Sequence, residues 1–431
     1  MKKNGFTLVE LLSIVVILGI FVVVALPQIS GSIGSKKEKQ YNKIVKIVEN
    51  AGKVYLTENV TRDSVSIDKL IKSDYLTSGL KNPINNTPLT GCVKKITSDG
   101  VTKYKYEVDN CPDETIFIVN YITSLYNDEE TRIKDGLKKD NTSDQNIRYY
   151  GSDPNNYVRF NNELWRIIGV FGNNVKLVRS ESLGKLSWDS SDSAINNGYG
   201  VNQWGESTYE DGTSYPGSDL MQYLNKMYYG GDTTVTCYGG WENKTTTCPT
   251  NMLDETSKSL IDNHTWNTGA IEWGKRTDTL AFYQAERGTT NGKKCSSGTY
   301  CNDTVTRKTT WTGYVALPYV TDWAYASSES VCETNMYAGY NATASFPVEA
   351  VANMTCKKNN WMQRSSYTWY LSPSAYGSYA NNAWYVSGDG AADFNRAACS
   401  YAVAPSIYLK SNVLIESGNG TSSNPYMLKT S

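Results

Sequence analysis

A run of 21 mainly apolar residues from Phe6 to Leu26, preceded by the short cationic stretch Met1-Lys2-Lys3-Asn4-Gly5, constrains this chain more than anything else in it. As a helix the run reaches about 31 Å, the thickness of a bilayer's hydrocarbon core. Under the positive-inside rule the lysine pair stays cytoplasmic and everything after Pro27 is exported. The closing Val-Ala-Leu-Pro-Gln lacks the small-residue pattern of a secretory cleavage site, which argues against an ordinary signal peptide. Glu10 stands inside the run. A carboxylate in a spanning helix is costly, and by default it marks a function with a partner.

Lys2-Lys3-Asn4-Gly5-Phe6-Thr7-Leu8-Val9-Glu10-Leu11-Leu12 resembles the cleavage and methylation motif of type IV prepilins and pseudopilins. The resemblance covers about 30 residues. It implies that a membrane peptidase cuts after Gly5 and that Phe6 becomes an N-methylated terminus. It also implies that Glu10 takes the family's mature position five, and that Pro27 falls where many members carry a helix-kinking proline. A neighbouring subunit's Glu10 would then neutralise the Phe6 amine. A buried pair of that kind fixes axial register more surely than it adds stability.

Beyond the run the pattern changes twice. Tyr41, Ile44, Val45, Val48, Ala51, Val54 and Tyr55 recur at three and four, a helical stripe with lysines opposite. Cys92–Ile96 and Val101–Val108 flank Thr97-Ser-Asp-Gly100 and read as a hairpin bracketed by Cys92 and Cys111. Residues 36–113 resemble the compact heads of small pilins and pseudopilins. From Arg148 three short strands are expected, Tyr157–Phe160, Leu164–Val170 and Val175–Arg179, joined at Asn161-Asn162 and Gly172-Asn-Asn174. Some 200 residues rich in Gly, Asn, Ser, Thr, Tyr and Trp follow with little periodicity, before closing strands near Trp384–Gly388 and Val403–Leu409. Residues 149–431 resemble bacterial surface domains of C-type-lectin-like or sulfatase-modifying-factor-like fold. The expected class is therefore α+β: a long N-terminal transmembrane and stem helix with a small pilin-like head, then a loop-rich, β-containing C-type-lectin-like domain. The layout is a leader over residues 1–5, the transmembrane and stem helix over 6–58, a head over 59–113, a connecting helix and linker over 114–148, and the surface domain over 149–431.

All nine cysteines lie beyond residue 91. Eight form sequence-near couples, Cys92/Cys111, Cys237/Cys248, Cys295/Cys301 and Cys332/Cys356. Nearest-neighbour pairing would staple a region poor in regular structure, as an oxidising exterior permits. Cys399 is left over and reads as a small buried hydrophobe, with a redox thiol as the lesser alternative. The cysteine spacing and the single histidine, His264, leave no zinc site, and no cofactor or metal is expected.

Charge excludes a bulk basic field for nucleic acid: 42 Lys+Arg stand against 43 Asp+Glu. Tyrosine outnumbers phenylalanine 32 to 8, and tyrosine's apolar body with a polar tip suits wet recognition surfaces. Trp384, Asp389, Asp393 and Asn395, in one short segment, are the candidate ligand-binding residues. Asp189, Asp192 and Asn196 form a similar cluster. Trp361, Trp369, Tyr376 and Tyr379 add aromatic density. His264 has no nucleophile motif beside it, so no catalytic residue is assigned.

The expected function is a minor type IV pilin-like subunit, in or at the tip of a surface filament, presenting an adhesive head. A pseudopilin of a competence or secretion machine is the alternative, and a tethered surface enzyme a lesser one. The implied partners are the prepilin peptidase, other pilin subunits, the membrane and a glycan or protein ligand, with DNA entering only under the competence alternative. The implied location is a single-pass membrane protein with its head at the cell surface or on a pilus.

Overall fold

The computed structural model describes residues 33–58, 63–98, 101–109, 111, 116–191, 201–208, 212, 214–240, 243–288, 308–340, 354–375 and 380–430. The chain divides into two compact units, residues 1–115 and 116–431.

In the first unit α1 (Ile33–Glu58) lies on a three-stranded antiparallel sheet of β1 (Ser64–Ser66), β2 (Cys92–Ser98) and β3 (Val101–Glu107). Ser66 accepts a hydrogen bond from the Lys69 amide and so caps α2 (Ile67–Lys72). Helical spacing puts Ile44, Val48, Ala51 and Tyr55 on one buried face of α1, against Val65 and Val93. The approach is close at Gly52, where an added Cβ would stand 2.4 Å from the Val93 Cβ.

Two expectations are corrected here. Among the described residues no helix is long and apolar enough to cross a membrane. The longest stretch expected to belong to a stem, α1, carries Lys36, Lys37, Lys39, Lys43, Lys46 and Lys53, and its single apolar stripe is spent on the unit's own sheet. The long transmembrane and stem helix over residues 6–58, and the single-pass membrane placement that rested on it, therefore give way to a sheet-rich chain with few helices. Gly5, Phe6, Glu10 and Pro27 lie outside the described residues.

The second unit is built on two large sheets. The ten-stranded one takes β4 (Ile116–Phe117), β5 (Leu137–Lys139), β6 (Ile147–Tyr149), β7 (Tyr157–Phe160), β8 (Glu163–Phe171), β9 (Asn174–Arg179), β11 (Val315–Ala316), β16 (Ser406–Tyr408), β17 (Leu414–Ser417) and β18 (Tyr426–Lys429). Its main path runs β11-β16-β9-β8-β7-β18-β17-β4, with β6 beside β8 and β5 beside β6. The expected three-strand run is present as β7, β8 and β9. Asn161 and Asn162 turn the first hairpin at φ of 53° and 58°, a backbone region that asparagine tolerates better than most residues. Residues 116–148, expected as a connector, are part of this unit, since β4 pairs with β17 and α3 (Ile118–Asn127) buries Ile118 and Ile122 in its core. The five-stranded sheet runs β10 (Lys185–Ser187), β15 (Ser400–Ala402), β12 (Thr368–Pro373), β13 (Asn382–Val386) and β14 (Ala392–Arg396).

Tryptophan fills this core: Trp165, Trp188, Trp204, Trp266, Trp323, Trp369 and Trp384 are all fully buried. Beside them lies a closed ionic network. Arg148 on β6 donates Nε to Asp140 Oδ2 (2.6 Å) and Nη1 to Asp322 Oδ1 (2.7 Å). Lys176 on β9 donates Nζ to Asp322 Oδ2 (2.6 Å) and stands 4.0 Å from the Tyr319 ring centre. Burial opposes the charge on Asp322, but Lys176 and Arg148 hold its carboxyl below the usual range. Burial pushes Lys176 down to about 8. Glu286, at the end of α4 (Thr279–Glu286), accepts from the Thr321 amide and hydroxyl at the start of α5 (Val320–Tyr325), and burial pushes it up to about 7. Disulfides Cys92–Cys111, Cys237–Cys248 and Cys332–Cys356 form as the spacing suggested, and Cys295 and Cys301 lie outside the described residues.

Candidate ligand-binding site

The register of β13 against β14 sorts the four residues singled out by sequence. Tyr385 pairs with Asp393, Ala383 with Asn395, and Trp384 with Phe394. Side chains alternate along a strand, so Asp393, Asn395 and Tyr385 share one face while Trp384 and Phe394 point to the other. Trp384 is fully buried, 4.8 Å from the Phe282 ring, and donates its indole N–H to the Ile271 carbonyl. It is core and no part of the site. Asp389 stands exposed in the connecting turn.

The face that keeps Asp393 and Asn395 is tiled with tyrosine. Trp369 on β12 pairs with Tyr385 and forms a buried floor, its ring centre 4.5 Å from that of Tyr401 on β15. Tyr367, 47% exposed just before β12, stacks on Tyr401 at 5.2 Å and 22°, and lies 5.3 Å from Tyr385. Tyr385 and Tyr401 are 5.0 Å apart and half-buried. Asn395 donates its amide to the Tyr401 hydroxyl at 2.8 Å. Burial pushes Tyr401 up to about 12 and Tyr385 higher still, so these hydroxyls stay neutral and can both donate and accept.

Asp393 closes one side. Its Oδ1 lies 3.5 Å from Arg276 Nη1, and Arg276 is clamped between Trp273 (3.2 Å to the ring centre) and Tyr337 (3.8 Å). Burial raises the Asp393 carboxyl, against the lowering effect of Arg276. Cys399, a free and half-buried thiol at the same edge, is likewise raised by burial, and so is a weak nucleophile.

The other candidates scatter. Asp189 is buried and accepts from the Ser191 amide (3.1 Å). Burial first, and then the charge of Asp219, hold its carboxyl well above the usual range. Asp192, Asn196, Tyr376 and Tyr379 lie outside the described residues. Among the described residues no group of three or more His, Cys, Asp or Glu side chains could hold a metal ion. His264 Nδ1 lies 3.0 Å from Asp262 Oδ2 and the ring stacks 3.7 Å from Tyr408. Among the described residues no serine, threonine or cysteine hydrogen-bonds to it.

Sequence reasoning missed Tyr367, Tyr401 and Arg276, which reach the face from three separate segments. The alternation of Tyr385 with Trp384 was the one local signal that the two aromatics part ways. No protein-family model, curated protein or solved structure matches this chain.

Proposed function

We propose that this chain is a minor subunit of a type IV pilin-like filament, matured by a prepilin peptidase between Gly5 and Phe6, and that residues 116–431 are its glycan-binding head. The motif at residues 2–12 supports the first part. The tyrosine face of the five-stranded sheet carries the second. Tyrosine rings offer rigid, amphipathic contact area at low entropic cost, which suits stacking against the apolar face of a sugar. The neutral hydroxyls of Tyr385 and Tyr401, with the Asn395 amide and the Asp393 carboxyl, supply the directional polar contacts that a polyhydroxylated ring requires. Trp369 beneath them is fully buried and its indole N–H donates to the Leu186 carbonyl at 3.0 Å. The face is therefore ordered before a ligand arrives, which lowers the entropic cost of binding.

A panel of immobilised neutral glycans tests the reading. The purified full chain should be retained by a subset of them, and Tyr367→Ala/Tyr385→Ala, which removes two half-exposed rings, should weaken retention about tenfold or more. Equal retention of that variant, with unchanged far-UV circular dichroism, would contradict it.

A further inference from the structure

The second unit holds another cleft whose charge and walls are unlike the tyrosine face. It has a volume of about 320 Å³ and is lined by Arg166, Arg179 and Arg364, with Ser180, Trp361 and Met362 among its walls. Arg166 lies between the Tyr157 ring (4.1 Å) and the Trp361 ring (4.7 Å). It donates Nε to Asn156 and Nη2 to Asp153 and the Pro154 carbonyl, which leaves Nη1 without a hydrogen-bond partner among the described residues. Arg179 is engaged by Glu163 through both Nε (2.6 Å) and Nη2 (2.9 Å).

Arg364 differs from both. Its Nη1 and Nη2 donate to the Ser180 and Arg179 carbonyls at 2.6 and 2.7 Å, and among the described residues no carboxylate lies within ion-pair distance of it. Two guanidiniums are thus paired directly, with Asp153 and Glu163, while Arg364 feels only the longer-range charge of Glu181. The Ser180 hydroxyl in the same wall is buried without a partner. A buried polar group left unsatisfied is costly, and in native structures it usually has an explanation. Glu181, exposed at the rim, is the acidic side chain lining the cleft.

We propose that this cleft is a second binding site, for a carboxylate carried on a sugar-sized ring: a hexuronate, free or at the end of a glycan. Guanidinium groups match the planar carboxylate and are weakly hydrated, so they bind it with little desolvation cost. Arg364, with no carboxylate in contact, is the guanidinium left to pair with a single carboxylate, whereas a phosphate dianion would be repelled more strongly by Glu181 at the rim. Met362, Leu164 and Val178 are the apolar residues of the lining, against which the ring can rest. The volume stands at the lower end of small-molecule sites, enough for one ring and too small for a chain laid along it.

Calorimetric titration of the full chain tests this with four probes: sodium glucuronate, a glucuronate-terminated disaccharide, glucose and inorganic phosphate. Glucuronate should bind about tenfold or more tighter than glucose, and weaken severalfold as salt rises from about 50 to 500 mM. The disaccharide should bind comparably if the ligand is glycan-borne; binding only of free glucuronate would restrict the site to the free acid. Arg364→Lys, which cannot hold both carbonyls and a carboxylate, should reduce glucuronate affinity about tenfold. Glu181→Gln, an exposed change that leaves the fold untouched, should raise it about two- to threefold. Equal affinity for glucuronate and glucose, tighter binding of phosphate, or a Glu181→Gln protein with wild-type affinity would each overturn the assignment, even if Arg364→Lys fails to fold. Loss of neutral-glycan retention in Tyr367→Ala/Tyr385→Ala should leave glucuronate binding intact, which separates the two sites.

Discussion

The two units solve the same problem with different materials. The first places one helix on three strands around an apolar core in which Ile44, Val48, Val65, Leu70 and Val93 touch with no charged side chain among them. The second packs seven fully buried tryptophans beside a set of fully buried ions, Arg148, Lys176, Asp140 and Asp322. Apolar cores tolerate change gradually, because losing a methyl group costs a transfer term and a cavity. A buried ionic network responds abruptly, because removing one partner leaves the others charged and dry. The contrast also bears on function. A small apolar core can hold a compact body, whereas fixed ion pairs between β6, β9 and α5 pin a large, loop-rich body whose sheet then presents the tyrosine face.

The largest effect should follow from Asp322→Ala, which strands Lys176 and leaves Arg148 with Asp140 alone. We expect a loss of about 3–5 kcal/mol from the second unit. Every tryptophan lies beyond Thr115, so tryptophan fluorescence in a urea titration reports that unit alone. A shift in the fluorescence midpoint, without a shift in the transition of the first unit followed by circular dichroism, is the expected outcome. A loss below about 1 kcal/mol would show that the network is not what holds the unit together.

How much of each unit could be read from the sequence follows the same division. The stripe of α1 and the hairpin between Cys92 and Cys111 are local patterns, and both are present as read. The hairpins β7–β8–β9 were equally legible, because asparagine turns them within a few residues. The five-stranded sheet was not. It joins β10 near residue 186 to β15 near residue 401, with β12, β13 and β14 alongside, and no local periodicity announces pairings some 200 residues apart. Asp393 and Asn395 were singled out because they are close in sequence to an aromatic. Trp384 was misplaced because only the register of β13 decides which face it takes. The membrane-spanning stem helix is overturned because, among the described residues, no helix is long and apolar enough to cross a membrane.

A smaller effect separates the units by pH. Glu286 ordinarily ionises near 4.5, and burial in the folded chain pushes it up to about 7. Between those values the folded chain holds a proton that the unfolded chain has released, so stability falls as pH rises, by at most about 1.4 kcal/mol per pH unit. The raised Asp189 carboxyl acts in the same direction. In the first unit the raised groups are Tyr75 and Tyr106, pushed up to about 12 by burial, far above that window. The fluorescence midpoint should therefore drop from pH 5 to pH 7, and Glu286→Gln should reduce that drop. A slope unchanged in Glu286→Gln would mean that the residue is not protonated in the folded chain.

The central claim is that glycan is bound by the tyrosine face. Selective ¹³C labelling of tyrosine rings, with each of Tyr367, Tyr385 and Tyr401 assigned by substitution with phenylalanine, reports on it without perturbing the fold. On titrating a retained neutral glycan, the ring signals of these three should shift in proportion to occupancy, while that of Tyr55, in the core of the first unit, stays fixed. If the glycan binds and all three signals stay unmoved, the recognition face lies elsewhere and the account is wrong.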